Sequence, residues 1–202
     1  MNGSSRLSLP QEKEYNCAPF RSQFSRIAID TTMTTNASLT DSLCPALLRD
    51  HAGARLSLIT ESFARLLGRP LLVDGADPVQ GLWSLPRVVL AHGTETDPLF
   101  FYGNHLALEL FELTPEQLIA MPSRLSAEPL RREERAQLLA RVAENGFIDD
   151  YSGIRVSSSG RRFRIHDAVV WNLIDASGKL HGQAATFALP LTSVPLTSLP
   201  PT

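Results

Sequence analysis

Residues 146–189 read GFIDDYSGIRVSSSGRRFRIHDAVVWNLIDASGKLHGQAATFAL, and this stretch decides the fold. Its apolar period is two. The runs FIDDYSGIRV, RRFRIHDAVVWNLID and GKLHGQAATFAL are joined by SSSG and ASGK. Short glycine-bearing joints between alternating runs are what hairpins require, so the pattern predicts a three-stranded meander. In the middle strand Phe163, Ile165, Val169, Trp171 and Leu173 are expected on one face, and Arg162, Arg164, His166 and Asn172 on the other. One buried and one wetter face marks an antiparallel sheet.

Upstream the period changes to that of a helix. PLRREERAQLLARVAENG (129–146) places Leu138, Leu139 and Val142 inward, carries Arg and Glu one turn apart, and stops at Asn145-Gly146. MPSRLSAEP before it is a loop or broken turn. Leu113-Thr114-Pro115-Glu116-Gln117-Leu118 writes a helix start several ways at once. Thr114 and Gln117 match a capping box, Pro115 suits the first helical position, and Leu113 and Leu118 match a hydrophobic staple. NHLALELF forms a short helix capped by Asn104. RVVLAH and PLFFYG, separated by GTETD, are two further strands. VDGADPVQGLWSLP (73–86) is full of turn residues and reads as a loop. In RLSLITESFARLLGRP, Leu56, Ile59, Phe63, Leu66 and Leu67 share a helical face that needs a surface to cover; Gly68 suits its cap and Pro70 its end.

Two strands, a helical insert and three more strands make a five-stranded antiparallel sheet with helices on one face, an α+β domain. We place it at residues 41–189. Residues 1–40, rich in Ser, Thr and Asn, read as a disordered arm, and 190–202, spaced by prolines, as a disordered tail. Met33 is an alternative start. A hydrophobic fraction of 43 % supports a core of ordinary size for 202 residues. A net charge of -2 gives no general attraction to nucleic acid or anionic lipid. No apolar run is long enough to span a membrane, and the N-terminus lacks a secretory h-region, so cytoplasm is the expected compartment. Cys17 and Cys44 are read as free thiols.

The order of elements looks like the PAS fold. More narrowly, AHGTETDPLFFYGNHLALELFELTPEQLIAMPSRLSAEPLRREER and GFIDDYSGIRVSSSGRRFRIHDAVVWNLIDASGKLHGQAATF resemble the MEKHLA domain, a PAS-related family of bacterial single-domain proteins and of some plant homeodomain-leucine-zipper factors. The phrases MPSR, YSGIRVSSSGRRF and VWNLID…GQAATF carry the match together. The resemblance implies a sensory or protein-interaction module that signals through a partner protein, with a homodimer expected. It does not imply a reaction.

The cofactor is unknown, and two kinds of cofactor chemistry are disfavoured. Haem-binding PAS proteins place their ligand on the long helix before the meander, and this helix has no His. His105 reads as a polar residue in a first helical turn, and His166 as solvated. Light-driven flavin chemistry needs a Cys in NHLALELFELTPEQLIAMPSR, which has none; covalent coumarate likewise lacks its Cys, whereas non-covalent flavin stays open. No GxSxG, HExxH or P-loop occurs. Asp149 and Asp150 are adjacent on a strand and point to opposite faces. Arg161, Arg162 and Arg164 read as a hairpin rim patch rather than a phosphate site.

For a ligand between the inner sheet face and the short helices, the candidate lining is Phe101, Leu108, Phe111, Leu118, Met121, Tyr151, Trp171 and Phe187. Tyr102, Asn104, Ser123 and Arg124 are the candidate polar groups. The alternative is a filled core in which these rings pack on one another, leaving a dimerisation module. A small-molecule enzyme is the least favoured reading. Arg124 suits a carboxylate, from a ligand or from Glu128.

Overall fold

A computed structural model of the chain describes residues 43–127, 138, 141–142 and 144–190. The expected N-terminal arm with Met33 and Cys17, most of the long helix with Glu128 and Leu139, and the tail beyond 190 lie outside the described residues. Arg141, Val142, Glu144 and Asn145 are helical, and Val142 is buried.

Five strands form one antiparallel sheet: β1 (Val88–His92), β2 (Phe100–Gly103), β3 (Phe147–Val156), β4 (Arg162–Ile174) and β5 (Leu180–Phe187). Their spatial order is β2-β1-β5-β4-β3. The meander is therefore continuous, and β5 docks in the centre against β1. Close approach at that junction depends on Gly182, whose φ is +142°. A Cβ there would lie 1.9 Å from the His92 carbonyl oxygen, so only glycine fits.

The helices are α1 (Ala46–Ala52), α2 (Arg55–Leu67), α3 (Pro78–Trp83), α4 (His105–Phe111) and α5 (Pro115–Ile119), followed by a 3-10 turn at Ser123–Ser126. α2 ends at Gly68 in the left-handed conformation that glycine adopts without strain. At α5 the Thr114 hydroxyl accepts from the Gln117 amide while the Gln117 side chain accepts from the Thr114 amide, a complete capping box. Residues 73–86 are a correction to the loop expectation, because they contain α3. Asp77 caps it by accepting from the Gln80 amide, Pro78 opens it, and Leu82 and Trp83 are buried.

The largest correction concerns the face of β4. Tyr151 pairs with Ala168 and Gly153 with Ile165, so two residues along β3 match three along β4. The extra residue is a bulge, and Asp167 within it has φ +48°. A compensating extra residue sits in β3 between Ile148 and Tyr151. Phase therefore changes at Asp167. Phe163 and Ile165 lie on one side of the sheet, and Val169, Trp171 and Leu173 on the other.

Both sides are covered. On the outer side α2 lies against β4. The Trp171 indole N–H donates to the Ser62 hydroxyl (3.1 Å), which in turn donates to the Leu58 carbonyl (2.6 Å). The Phe63 ring meets Trp171 edge-on at 5.0 Å. Leu56, Ile59 and Phe63 are buried, at roughly 1.5–3 kcal/mol each. On the inner side α4 and α5 cover β1 and β2. A Cβ at Gly103 would meet Leu118 and Ala107, so these helices press directly on the strand. Phe111 of α4 meets Phe163 edge-on at 5.2 Å.

Candidate functional site

The inner face carries an unusual polar pair on β3. Residues 151, 153 and 155 share a side of the strand, and they pair across with Ala168, Ile165 and Phe163. The face that receives Phe111 therefore also receives Tyr151 and Arg155. Tyr151 runs along the strand, because a Cβ on Gly153 would lie 2.6 Å from its hydroxyl oxygen. Glycine at 153 is what lets the ring lie flat towards Arg155. The Arg155 guanidinium sits 5.1 Å from the centre of that ring. Burial lowers the Arg155 pKa, and the Tyr151 side chain opposes the shift through charge and a hydrogen bond. No carboxylate among the described residues pairs with this cation.

The other expected lining residues do not converge on one space. Phe111 and Phe187 are buried on the inner side, the latter through its pairing with Val88 on β1. Leu118 is buried over Gly103, and Leu108 packs half-buried against the core. Trp171 faces α2 on the outer side, and Tyr102, paired with Ala91, lies on that side too. The Tyr102 hydroxyl is buried with no partner among the described residues, and burial raises its pKa strongly. Phe101 sits where the β1–β2 register shifts and is covered by the Arg55 guanidinium, 3.9 Å from its ring. Met121 lies at the open edge of β2, where its carbonyl accepts from the Phe100 amide.

The other three expected polar groups, Asn104, Arg124 and Ser123, are engaged within the chain. Asn104 is fully buried. Its carbonyl accepts from the Val89 and Ala107 amides, and its amide donates to the Arg87 carbonyl (2.7 Å) and the Leu85 carbonyl (3.4 Å). It caps α4 and locks it to β1. Arg124 makes a bidentate pair with Asp97 of the β1–β2 loop (2.9 and 3.0 Å), half exposed. Ser123 opens the 3-10 turn, its amide donating to Pro98 and its carbonyl accepting from Ser126.

Groups considered for other chemistry also have structural partners. One His105 ring nitrogen is hydrogen-bonded to the Trp83 carbonyl, joining α3 to α4. Cys44 is free and buried ahead of α1, where burial raises its pKa. Arg161 is more than a rim charge. It donates to the Glu112 carboxylate (2.8 Å) and the Leu110 carbonyl (2.8 Å), closing the C-terminus of α4. Hydrogen bonds from Ser159 and Arg161 hold the Glu112 carboxyl below its ordinary range. The SSSGR hairpin is thus pinned onto α4, beside the inner face.

The sequence profile of the MEKHLA domain matches residues 54–189, about two thirds of the chain. This chain belongs to the MEKHLA domain family. The MEKHLA match extends to the homeobox-leucine zipper protein REVOLUTA of Arabidopsis thaliana, 28 % identical over 138 residues. That alignment covers 64 % of this chain and only 16 % of REVOLUTA. Among solved structures, a light-oxygen-voltage domain studied with a flavin analogue aligns with TM-score 0.46 and 13 % identity, over 61 % of this chain and 88 % of that one. A PAS domain from Colwellia psychrerythraea aligns with TM-score 0.45 and 12 % identity, over 52 % and 86 %. With its β2-β1-β5-β4-β3 order, α4 and α5 over the inner face and α2 over the outer, the MEKHLA domain here has a PAS-like fold. No helix among the described residues is long and apolar enough to cross a membrane.

Proposed function

We propose that this chain is a sensory module that takes a small anionic ligand on the inner sheet face and signals by contact with a partner protein. The Arg155–Tyr151 pair is the observation that carries the reading. Partly burying a guanidinium that has no carboxylate partner among the described residues carries a desolvation cost. A carboxylate or phosphate on the ligand offsets that cost through a charge-assisted hydrogen bond, and the Tyr151 hydroxyl supplies a second polar contact. Phe111, Phe163 and Phe187 give the same face its apolar body, which suits a ligand with one charged end.

Thermal denaturation of the full chain against a panel of carboxylate and phosphate metabolites tests this. The panel includes flavin mononucleotide, whose phosphate has the required charge. A binder raises Tm by mass action in the parent chain and not in Arg155→Met. Without ligand, Arg155→Met is at least as stable as the parent, because the desolvation cost of the half-buried guanidinium is gone. A panel without any shift, together with a less stable Arg155→Met, means that Arg155 is a structural residue.

The output side of the proposal is a homodimer or a separate partner. Leu43 and Leu47, at the start of the domain and on α1, are exposed at 78 % and 37 % and offer an apolar beginning for such a contact. Sedimentation equilibrium of the parent and of Leu43→Ser/Leu47→Ser tests it; a monomer at every concentration removes the homodimer.

A further inference from the structure

The outer face holds a cleft of about 250 Å³ where α2 ends, on the opposite side of the sheet from Arg155. Its walls include Arg69 and Arg87 on one hand and Asp149 and Asp167 on the other, with Phe63 and Thr186 among the remaining surface. We infer that this cleft is a second ligand site, built for a small zwitterion of the free α-amino-acid class.

Two independent features point there. None of the four charged side chains makes an ion pair or a side-chain hydrogen bond among the described residues; Arg69 only overlies the Phe63 ring, at 5.2 Å. Four charges of two signs around one small space, unspent on one another, match a ligand that carries both signs. In addition, the Thr186 hydroxyl is buried in the wall, 1 % exposed as a residue, with no hydrogen-bond partner. Buried hydroxyls are satisfied in the great majority of folded proteins, so an unsatisfied one at a cleft marks a place for a ligand's polar atom.

The backbone is shaped to the same end. Asp149 lies in the β3 stretch that carries an extra residue, and Asp167 lies in the matching bulge of β4 with φ +48°. Asp149 and Asp167 both line the cleft, while Asp150 pairs instead with Arg141 at 2.6 Å. A carboxylate of the ligand then faces Arg69 and Arg87, and its ammonium faces Asp149 and Asp167. A free amino acid has both groups on one carbon, which suits a space too small for a nucleotide.

Titration of the 15N-labelled full chain with the twenty free amino acids, and with their N-acetyl and amide derivatives, decides the matter. The result expected is saturable movement of the Val169 and Thr186 amides with at least one free amino acid. Blocking either charge of the ligand weakens it about tenfold or more, as do Arg87→Gln and Asp167→Asn, since each removes a charge-assisted contact. Asn tolerates the left-handed backbone at 167, so that variant keeps the bulge. Arg155→Met leaves this titration unchanged, so the two sites stand or fall separately. The proposal is overturned if no amino acid moves these amides at about 10 mM, well above a millimolar Kd. Movement indifferent to N-acetylation and amidation overturns it as well. So does movement of the same amides with protein concentration alone, which would make the cleft a contact between copies.

Discussion

Trp171 and Phe163 belong to one strand, yet they face opposite ways and meet different helices. Around Trp171 the indole, Ser62 and the Leu58 carbonyl form a chain of hydrogen bonds under α2, and the ring meets Phe63. Around Phe163 the same sheet presents Tyr151 and a half-buried Arg155. The bulge at Asp167 divides the two environments. A sheet whose strand changes phase halfway presents a packed face to α2 and a Tyr151–Arg155 pair on the other side. The comparison also shows why leading helix α2 is integral: without it the Trp171 side would be bare.

The sharpest way to break the comparison is on the outer side. Trp171→Ala removes a fully buried ring and its hydrogen bond to Ser62, and the expected loss is about 3–5 kcal/mol in chemical denaturation. Asn104→Ala comes next. It strips partners from the Val89 and Ala107 amides, so we expect about 2–4 kcal/mol by the same measurement. Gly153→Ala probes the inner side. Its Cβ collides with the Tyr151 hydroxyl, a flexible side-chain end that moves aside, so the stability loss is only about 1 kcal/mol. The consequence is functional: Tyr151 leaves Arg155, seen as a changed ring environment by NMR, and binding to the inner face weakens.

The smallest effect is at the β4–β5 hairpin. Asp175 accepts from the Ser177 hydroxyl and amide, the Lys179 amide and His181. Those bonds, the Ser177 hydroxyl and His181 first, lower its pKa. A carboxyl lowered on folding contributes fully above its unfolded value of about 3.9, and the contribution disappears as pH falls through the lower folded value. Between pH 5 and 8 the hairpin is therefore indifferent to this carboxyl. Acid titration of the Ser177 and Lys179 amides should show them released only well below the ordinary aspartate range.

Much of the fold was legible because its signals are local. The two hairpin joints, the Thr114–Gln117 box and the Gly68 stop each act within a few residues. α3 was legible in principle, since Asp77-Pro78 is a cap followed by a first-turn proline; its glycines and prolines outweighed it. The face of β4 was misread because counting by twos assumes an unbroken ladder. The unbroken apolar run Ala168–Trp171 just after Asp167 was the one hint of a phase change. The candidate sites were less legible for the same reason. Asn104 has the chemistry of a ligand contact, but backbone groups present the same donors and acceptors, and here they take all of it. Arg155 was passed over because alternation in FIDDYSGIRV is weak, and only the cross-strand register puts it with Phe163.

The claim that the inner face receives an anion is tested most directly by a crystal structure of the full chain purified without added ligand. The account predicts an anionic group, carried through purification or drawn from the buffer, in contact with the Arg155 guanidinium, with Tyr151 beside it. An inner face closed by apolar side chains, with Arg155 turned out into solvent, would contradict it.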